Sequence, residues 1–301
     1  MYHEPVLKEE VIAHLQVKEG QKYIDATLGD GGHTLAILEK GGIVLGIDIN
    51  DQSLERAIHR INSAGYGKSF FPCKGNFEHI DALAEDTGFN QVSGILMDLG
   101  YSSFQLDESD IGLSFLRDSP LDMRLNKDLG VTAADLVNSL SEKELTQLIS
   151  NYSDEKFAKS FAHAIVLSRN LKKIQTTRQL ADILKSASSP GYEHGRIHPA
   201  TRTFQALRIV VNDELGNLER SLPRAARLLL PGGRMIVISF HSLEDRIVKM
   251  FAKEQERIRN GAQPWLKSVT TKPVEPTSTE VQSNARSRSA KMRVLERKVY
   301  L

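Results

Sequence analysis

Several common organising features are missing from this 301-residue sequence. It has a single cysteine, Cys73, so no intrachain disulfide can form. Cys73 sits in the strand-like run "FFPCKGNF" and reads as an inert core thiol. No cysteine–histidine cluster has zinc-ligand spacing, so no metal site is expected. No apolar run approaches the ~20 residues of a membrane span. The opening stretch "MYHEPVLKEEVIAHL" has neither the basic nor the apolar region of a secretory signal. A cytoplasmic protein is therefore expected. Formal net charge is only +1, which excludes a uniformly basic surface for nucleic acid. Any such contact must come from local patches. The G-x-G-x-x-G fingerprint of dinucleotide enzymes is also absent. What remains is an ordinary globular composition, 40% hydrophobic and 26% charged. A chain of this length buries a full core without disulfides or metals.

The first hundred residues alternate strand and helix signals. "QKYIDATLG" reads as a strand, "HTLAILEKG" as a short helix, "GIVLGIDIN" as a strand and "DQSLERAIHRINSAG" as a helix. "KSFFPCKGNF" and "VSGILMDLG" are the third and fourth strands. Apolar strands separated by amphipathic helices imply a parallel sheet covered on both faces. The alternation then stops, and residues 107–202 carry helical patterns only. "SEKELTQLISNY" opens with Ser141 and Glu144 at capping-box spacing. Phe157, Phe161 and Ile165 make a helical stripe, and "TTRQLADILKSA" a further helix. The α/β pattern returns at residue 203 with a long helical stretch in which Pro223 marks a break or a start. "PGGRMIVISFH" reads as a turn into a fifth strand. "LKSVTTKPV" and "KMRVLERKVYL" read as two closing strands, with "EPTSTEVQSNARSRSA" a polar loop between them. Residues 1–106 and 203–301 thus form one domain, and 107–202 an all-helical insertion.

The chemistry gathers at the strand ends. In "DATLGDGGHT" three glycines within four residues permit positive φ and close ligand approach, and a helix N-terminus follows. Asp30 inside that loop suits a cationic ligand better than a pyrophosphate. Asp48 ends the second strand 19 residues after Gly29, the spacing of an acid that accepts both ribose hydroxyls. Its alternative is to cap the next helix. Asn76 and Phe77 end the third strand near an adenine position, with core packing the alternative for Phe77. S-adenosylmethionine, whose sulfonium and ammonium are cations, fits Asp25, Asp30 and Asp98 better than NAD does. Asp98 ends the fourth strand, and Tyr101 follows three residues later.

These stretches carry a resemblance that spans nearly the whole chain. "HEPVL", "DATLGDGGHT", "GIDIN", "MDLGYSSFQLD", "GLSFLRDSPLDMR", "HPATRTFQALRIVVNDEL", "LLPGGRMIVISFHSLEDRIVK" and "NARSRSAKMRVLER" occur in order. The chain resembles the RsmH (MraW) family, which methylates N4 of a cytidine in bacterial 16S ribosomal RNA. The resemblance implies a class I S-adenosylmethionine-dependent methyltransferase: a Rossmann-like, mostly parallel seven-stranded sheet with an inserted helical domain for substrate recognition. It implies that Gly31, Gly32, His33, Asp48, Phe77, Asp98 and Gln105 contact S-adenosylmethionine. The expected substrate is a decoding-centre (P-site) cytidine within the 30S subunit. Tyr101 stands where many members carry a small aliphatic residue, so the resemblance gives it no role.

Catalytic candidates are Asp98, Tyr101 and His241. Asp98 would orient the N4 amine or the cofactor's methionine end. Asp98-x-x-Tyr101 is akin to the D-P-P-Y motif of amino-methyltransferases acting on DNA, but the prolines are missing. His241 would touch the base or cap the next helix through Ser242 and Asp245. RNA-contact candidates are Arg124, His198, Arg202 and Arg208, together with Arg286, Arg288, Lys291 and Arg293 in a basic run. Two other functions stay open: an N4/N6 amino-methyltransferase on DNA, and a ribosome-assembly factor that binds S-adenosylmethionine without turnover. The pattern also leaves a homodimer open.

Overall fold

A computed structural model describes residues 2, 4–101, 110–195, 197–257 and 265–299. It divides into two units, Met1–Ser102 with Leu215–Leu301, and Ser103–Glu214. In chain order the first unit begins with α1 (Lys8–Leu15), β1 (Lys22–Asp25), α2 (Gly32–Glu39), β2 (Ile43–Asp48), α3 (Asp51–Ser63), β3 (Phe70–Lys74), α4 (Ile80–Asp86) and β4 (Val92–Asp98). The second unit holds α5 (Ala133–Ser139), α6 (Glu142–Tyr152), α7 (Ala158–Leu171), α8 (Thr177–Ala187) and α9 (Ala200–Asn212). The first unit resumes through α10 (Glu214–Leu228), β5 (Leu229–Ser239), α11 (Ser242–Gln255), β6 (Leu266–Ser268), α12 (Ser278–Ser283) and β7 (Lys291–Arg297).

The seven strands form one sheet in the order β3-β2-β1-β4-β5-β7-β6. β1 to β5 run parallel, and β7 is antiparallel to both β5 and β6. This is the strand order and hand-change of class I S-adenosylmethionine-dependent methyltransferases. Side chains alternate across it. Tyr23, Val44, Leu96, Ile236 and Met292 face α1, α2 and α3. Ile24, Leu45, Ile95, Met97, Met235 and Leu295 face α4, α10 and α11. Both faces are covered, which is why the parallel strands read as unbroken apolar runs rather than as alternation. β1 and β4 are neighbours whose onward connections lead to different sides of the sheet, and the strand ends there form the crevice of a doubly wound fold.

The helical unit has its own core, with Leu145, Leu148, Ile149, Phe161, Ile165, Leu180, Leu184 and Phe204 all buried. Three of its helices, α5, α6 and α8, start where a hydroxyl caps them. Thr132, Ser141 and Thr176 each accept from the backbone N–H three residues on, and the side chain at that third position bonds back. The insertion extends to Glu214 rather than 202, because α9 packs on α5, α6 and α8.

Three local expectations change. The stretch after residue 203 is two helices, broken at Asp213 with φ 48°, while α10 continues through Pro223. Burial of Leu218, Leu222, Ala225 and Leu228 offsets the ~3 kcal/mol that an interior proline costs. β5 begins at Leu229, ahead of the expected turn, and the register shifts from Val92↔Leu229 to Gly94↔Arg234, so residues 230–233 bulge. The polar stretch before β7 contains α12, capped by Thr277, rather than loop alone. Among the described residues no helix is long and apolar enough to cross a membrane.

Candidate functional site

The carboxyl ends of β1, β2 and β4 deliver Asp25, Asp48 and Asp98 to one edge of the sheet. Between β1 and α2 the chain turns through Gly29 (φ 51°) and Gly31 (φ 72°), backbone states that favour glycine. Gly31 lies flat on α3: a Cβ there would sit 3.2 Å from the Ala57 Cβ. Gly31→Ala is therefore expected to cost about 1–2 kcal/mol from backbone strain alone, with the steric contact added. Its thermal midpoint should fall by several degrees.

Each acid has a different task. The Asp48 carboxylate accepts the Gly29 N–H through Oδ2 at 2.8 Å and the Asn50 N–H through Oδ1 at 2.8 Å. It does not cap α3, since Asn50 does, accepting from Ser53 N–H. Burial pushes Asp48 up to about 6, against the pull of those two N–H groups, and the charges of Asp25 and Asp30 add to the rise. Asp25 is fully enclosed: Thr34 Oγ1 donates to its Oδ2 at 2.7 Å, and the Thr27 N–H reaches Oδ1 at 3.3 Å. Burial raises its pKa, opposed by His33 and these two donors. Asp25 thus braces the turn rather than facing a ligand.

Asp30 also departs from the expectation of a cleft-lining acid. Its carboxylate is held bidentately by Arg56, at 2.9 and 3.0 Å, and is buried against α3. Asp98 is half-buried, the least enclosed of the four acids. Its own N–H donates to Thr27 Oγ1 at 2.6 Å, which fixes the strand end to the glycine turn. The Gly100 N–H lies 3.3 Å from its Oδ1. Gly100 is pressed on the Phe240 ring, where a Cβ would come within 2.7 Å.

His33, in the first turn of α2, is buried, yet neither ring nitrogen has a hydrogen-bond partner among the described residues. Its Nε2 is 3.5 Å from Asp98 Oδ2, a charge-range approach rather than a hydrogen bond. A buried, unpartnered imidazole beside a carboxylate is a polar surface made for something else to complete. At Gly29 a Cβ would meet nothing within 4 Å, so the space beside Asp48 is open. These features fit S-adenosylmethionine: a hydroxyl acceptor at Asp48, helix-start N–H groups after Gly31, and an anionic wall at Asp98 for its cationic end.

The remaining predicted positions divide. Phe77 opens the turn after β3 and is half-buried against the core, the packing that was its alternative. Tyr101 is half-buried three residues past Asp98. Gln105 lies outside the described residues. His241 is itself the N-cap of α11: Nδ1 accepts the Glu244 N–H at 3.4 Å, and Glu244 returns a bond to the His241 N–H at 3.3 Å. The Ser242–Asp245 cap is not formed. Asp245 instead grips Arg293 at 2.7 and 3.1 Å, so Arg293 is an internal ion pair rather than a phosphate ligand. Ser239 Oγ donates to the Lys291 carbonyl. Arg288 is exposed, and Arg286 and Lys291 are half-buried beside it.

Within the helical unit Arg208 is paired with Glu214 at 2.9 and 3.1 Å and so is not available either. Arg124 is locked to Asp122 and to the carbonyls of Lys127 and Leu129, clamping its own loop. Arg202 bonds Tyr192, whose hydroxyl also contacts buried Glu155. His198 is largely exposed and stacked on Phe115 at 4.6 Å, and partial desolvation of the ring together with the Lys185 charge lowers its pKa. Thr27, Thr34 and Arg56 are the residues that sequence reasoning did not single out. Thr27 in the turn and Thr34 in α2 give no signal of their own, and the partner of Asp30 lies 26 positions away.

Comparison with known proteins returns one consistent answer. The model of the MraW methylase family matches residues 1–298. A Geobacter sulfurreducens protein named ribosomal RNA small subunit methyltransferase H is 47% identical, over 98% of both chains. Proteins of the same name from Syntrophus aciditrophicus and Carboxydothermus hydrogenoformans are each 44% identical, over 98% of this chain and 98% and 97% of theirs.

Proposed function

We propose that this chain, which belongs to the MraW methylase family, transfers a methyl group from S-adenosylmethionine to the exocyclic N4 of a decoding-centre (P-site) cytidine in 16S ribosomal RNA within the 30S subunit. The observation that carries this reading is the buried, unpartnered His33 set 3.5 Å from Asp98, at the strand ends that also bear Asp48. S-adenosylmethionine supplies an electrophilic methyl group on a sulfonium.

The residues of the chain do the rest. Asp48 accepts the ribose hydroxyls through the lone pairs that Gly29 and Asn50 leave. Gly31 and Gly32 would let the cofactor approach the backbone, and Phe77 would pack against its adenine. The N4 of cytosine is a weak nucleophile because its lone pair is delocalised into the ring. Asp98 would accept an N4–H bond, draw the lone pair onto nitrogen, and take the proton as the N–C bond forms and the sulfur–methyl bond breaks, its electron pair staying on sulfur. His33 orients the Asp98 carboxylate. Tyr101 offers a ring against which an unstacked base rests. His241 holds the start of α11 rather than acting as a base, because Nδ1 is already an acceptor within its cap.

RNA phosphates are met by Arg286, Arg288 and Lys291, and His198 with Arg202 offers a second contact on the helical unit. The contrast between exposed Arg288 and ion-paired Arg293 has a direct consequence. Arg288→Ala is expected to leave the thermal midpoint unchanged and to weaken affinity for the RNA substrate several-fold, with a shallower salt dependence. Arg293→Ala is expected to cost about 2 kcal/mol of stability, because Asp245 keeps a half-enclosed charge without its partner. Thermal denaturation and filter binding across a salt series separate the two.

The function is tested by offering methyl-labelled S-adenosylmethionine with 30S particles, bare 16S RNA and duplex DNA, all from cells lacking this enzyme. The modified nucleoside is then identified by mass. Label in N4-methylcytidine from 30S particles is the expected result. Label in DNA would move the substrate to DNA. Cofactor binding with no label in any sample would leave a non-catalytic assembly factor.

A further inference from the structure

Residues 2 and 4–7 lie outside any strand or helix, yet they are tied down at several points. Val6 and Leu7 are buried, and Leu7 holds a left-handed φ of 54°. The Leu7 N–H donates to Glu280 Oε1 at 2.7 Å, and Asn284 Nδ2 donates to the Glu4 carbonyl at 3.3 Å. Pro5 is seated on Gly32, where a Cβ would come within 3.1 Å of the proline ring. At the near end, the Tyr2 ring lies 4.8 Å from the Arg60 guanidinium carbon and 5.5 Å from that of Arg56, and its hydroxyl is 3.1 Å from His59 Nδ1.

Both arginines also hold the glycine turn. Arg56 grips the Asp30 carboxylate, and Arg60 donates to the Asp30 carbonyl at 3.2 Å. Asp30 sits between Gly29, which donates to Asp48, and Gly31, which lies flat on Ala57. The chain of contacts is Tyr2 on Arg56 and Arg60, these on Asp30, and Asp30 within the turn that presents Gly29, Gly31 and Gly32. The glycines adopt these positive φ values without strain, but glycine loses more backbone freedom on being fixed than any other residue, so contacts from α3 are needed to hold the turn in one shape.

We propose that Tyr2 is a positioning residue for S-adenosylmethionine. Through Arg56, Arg60 and Asp30 it holds the glycine turn in its binding shape, while Pro5 closes over Gly32. The role rests on the reading that this turn binds S-adenosylmethionine. It acts on the cofactor step and not on the chemistry of Asp98.

The test compares wild type with Tyr2→Ala, Tyr2→Phe and Arg56→Lys. Calorimetric S-adenosylmethionine affinity, the KM-against-kcat split, and hydrogen exchange at the amides of residues 29–32 are measured. Loss of the two cation–π contacts in Tyr2→Ala is expected to weaken affinity and raise KM about fivefold, with kcat at saturating cofactor unchanged. Exchange in the turn should rise in the cofactor-free protein. Tyr2→Phe keeps the ring over both arginines and should restore affinity to within about twofold of wild type. Arg56→Lys loses the bidentate grip and should resemble Tyr2→Ala. Wild-type affinity in Tyr2→Ala would overturn the proposal even if exchange rises. Equal loss in Tyr2→Ala and Tyr2→Phe would overturn the ring contact as its cause. Wild-type protein that binds no S-adenosylmethionine would instead overturn the functional reading on which the proposal rests.

Discussion

Replacing Asp98 with alanine is expected to lower single-turnover methyl transfer by about 10²–10⁴-fold, the range for removing a positioned proton acceptor. The structure makes this a clean experiment. Asp98 holds the glycine turn through its backbone N–H to Thr27 Oγ1, a bond that the substitution keeps. Among the described residues the side chain has only a long contact from Gly100 N–H at 3.3 Å and the 3.5 Å approach of His33. Its removal also relieves the charge that it places on buried Asp25. The thermal midpoint should therefore hold or rise while the rate collapses. Asp98→Asn keeps shape and one acceptor oxygen but loses the charge, and should fall between the two. Measuring S-adenosylmethionine affinity alongside the rate assigns the effect. Lost rate with retained affinity places Asp98 on the N4 amine, and lost affinity places it on the methionine end. Full activity in Asp98→Ala would end the catalytic reading.

The strand ends were legible in the sequence because a parallel strand covered on both faces has no polar position until it leaves the core. An aspartate closing "IVLGID" or "GILMD" is then conspicuous, and Asp48 and Asp98 both lie at the edge of the sheet. The partners of charges were not legible. Asp30 looked free for a cation, yet Arg56 on α3 neutralises it. Arg208 and Arg293 looked free for phosphate, yet Glu214 and Asp245 hold them. A count of basic residues gives the charge of a segment but not which cations remain, because the neutralising acid comes from another element. The cap of α11 failed for a related reason. Ser242 has the spacing of a capping residue, but the strand runs one residue less far into the turn, and His241 takes the position. Pro223 misled because the sequence shows the lost N–H and not the apolar face that outweighs it.

Asp48 carries the second large effect, and it has two signs. Asp48→Asn is expected to weaken S-adenosylmethionine binding by roughly 10- to 100-fold, since hydrogen bonds to a charged acceptor contribute about 1.5–3 kcal/mol each. The cofactor-free protein should gain stability at neutral pH by less than the ionisation penalty that it escapes, because the asparagine Nδ2 cannot accept and leaves one of the two backbone N–H donors without an acceptor. Burial holds the Asp48 pKa at about 6 in the folded chain, against about 3.9 in an unfolded one. Between those values the folded state binds more protons than the unfolded state, so stability falls as pH rises from about 4 to about 6 and is level above that. The penalty at neutral pH is on the order of 3 kcal/mol, and a neutral asparagine avoids much of it. The same ionisation that costs stability makes the site work. Below pH about 6 the carboxyl is protonated, one acceptor oxygen becomes a donor, and S-adenosylmethionine affinity should fall with each further step into acid. In Asp48→Asn that acid limb should vanish from the affinity profile, and the stability profile should flatten over the same interval. Calorimetric binding and thermal denaturation from pH 4.5 to 8 read both on one sample series. A limb that survives in Asp48→Asn would move the titration to another group and leave Asp48 a brace for Gly29 and Asn50 alone.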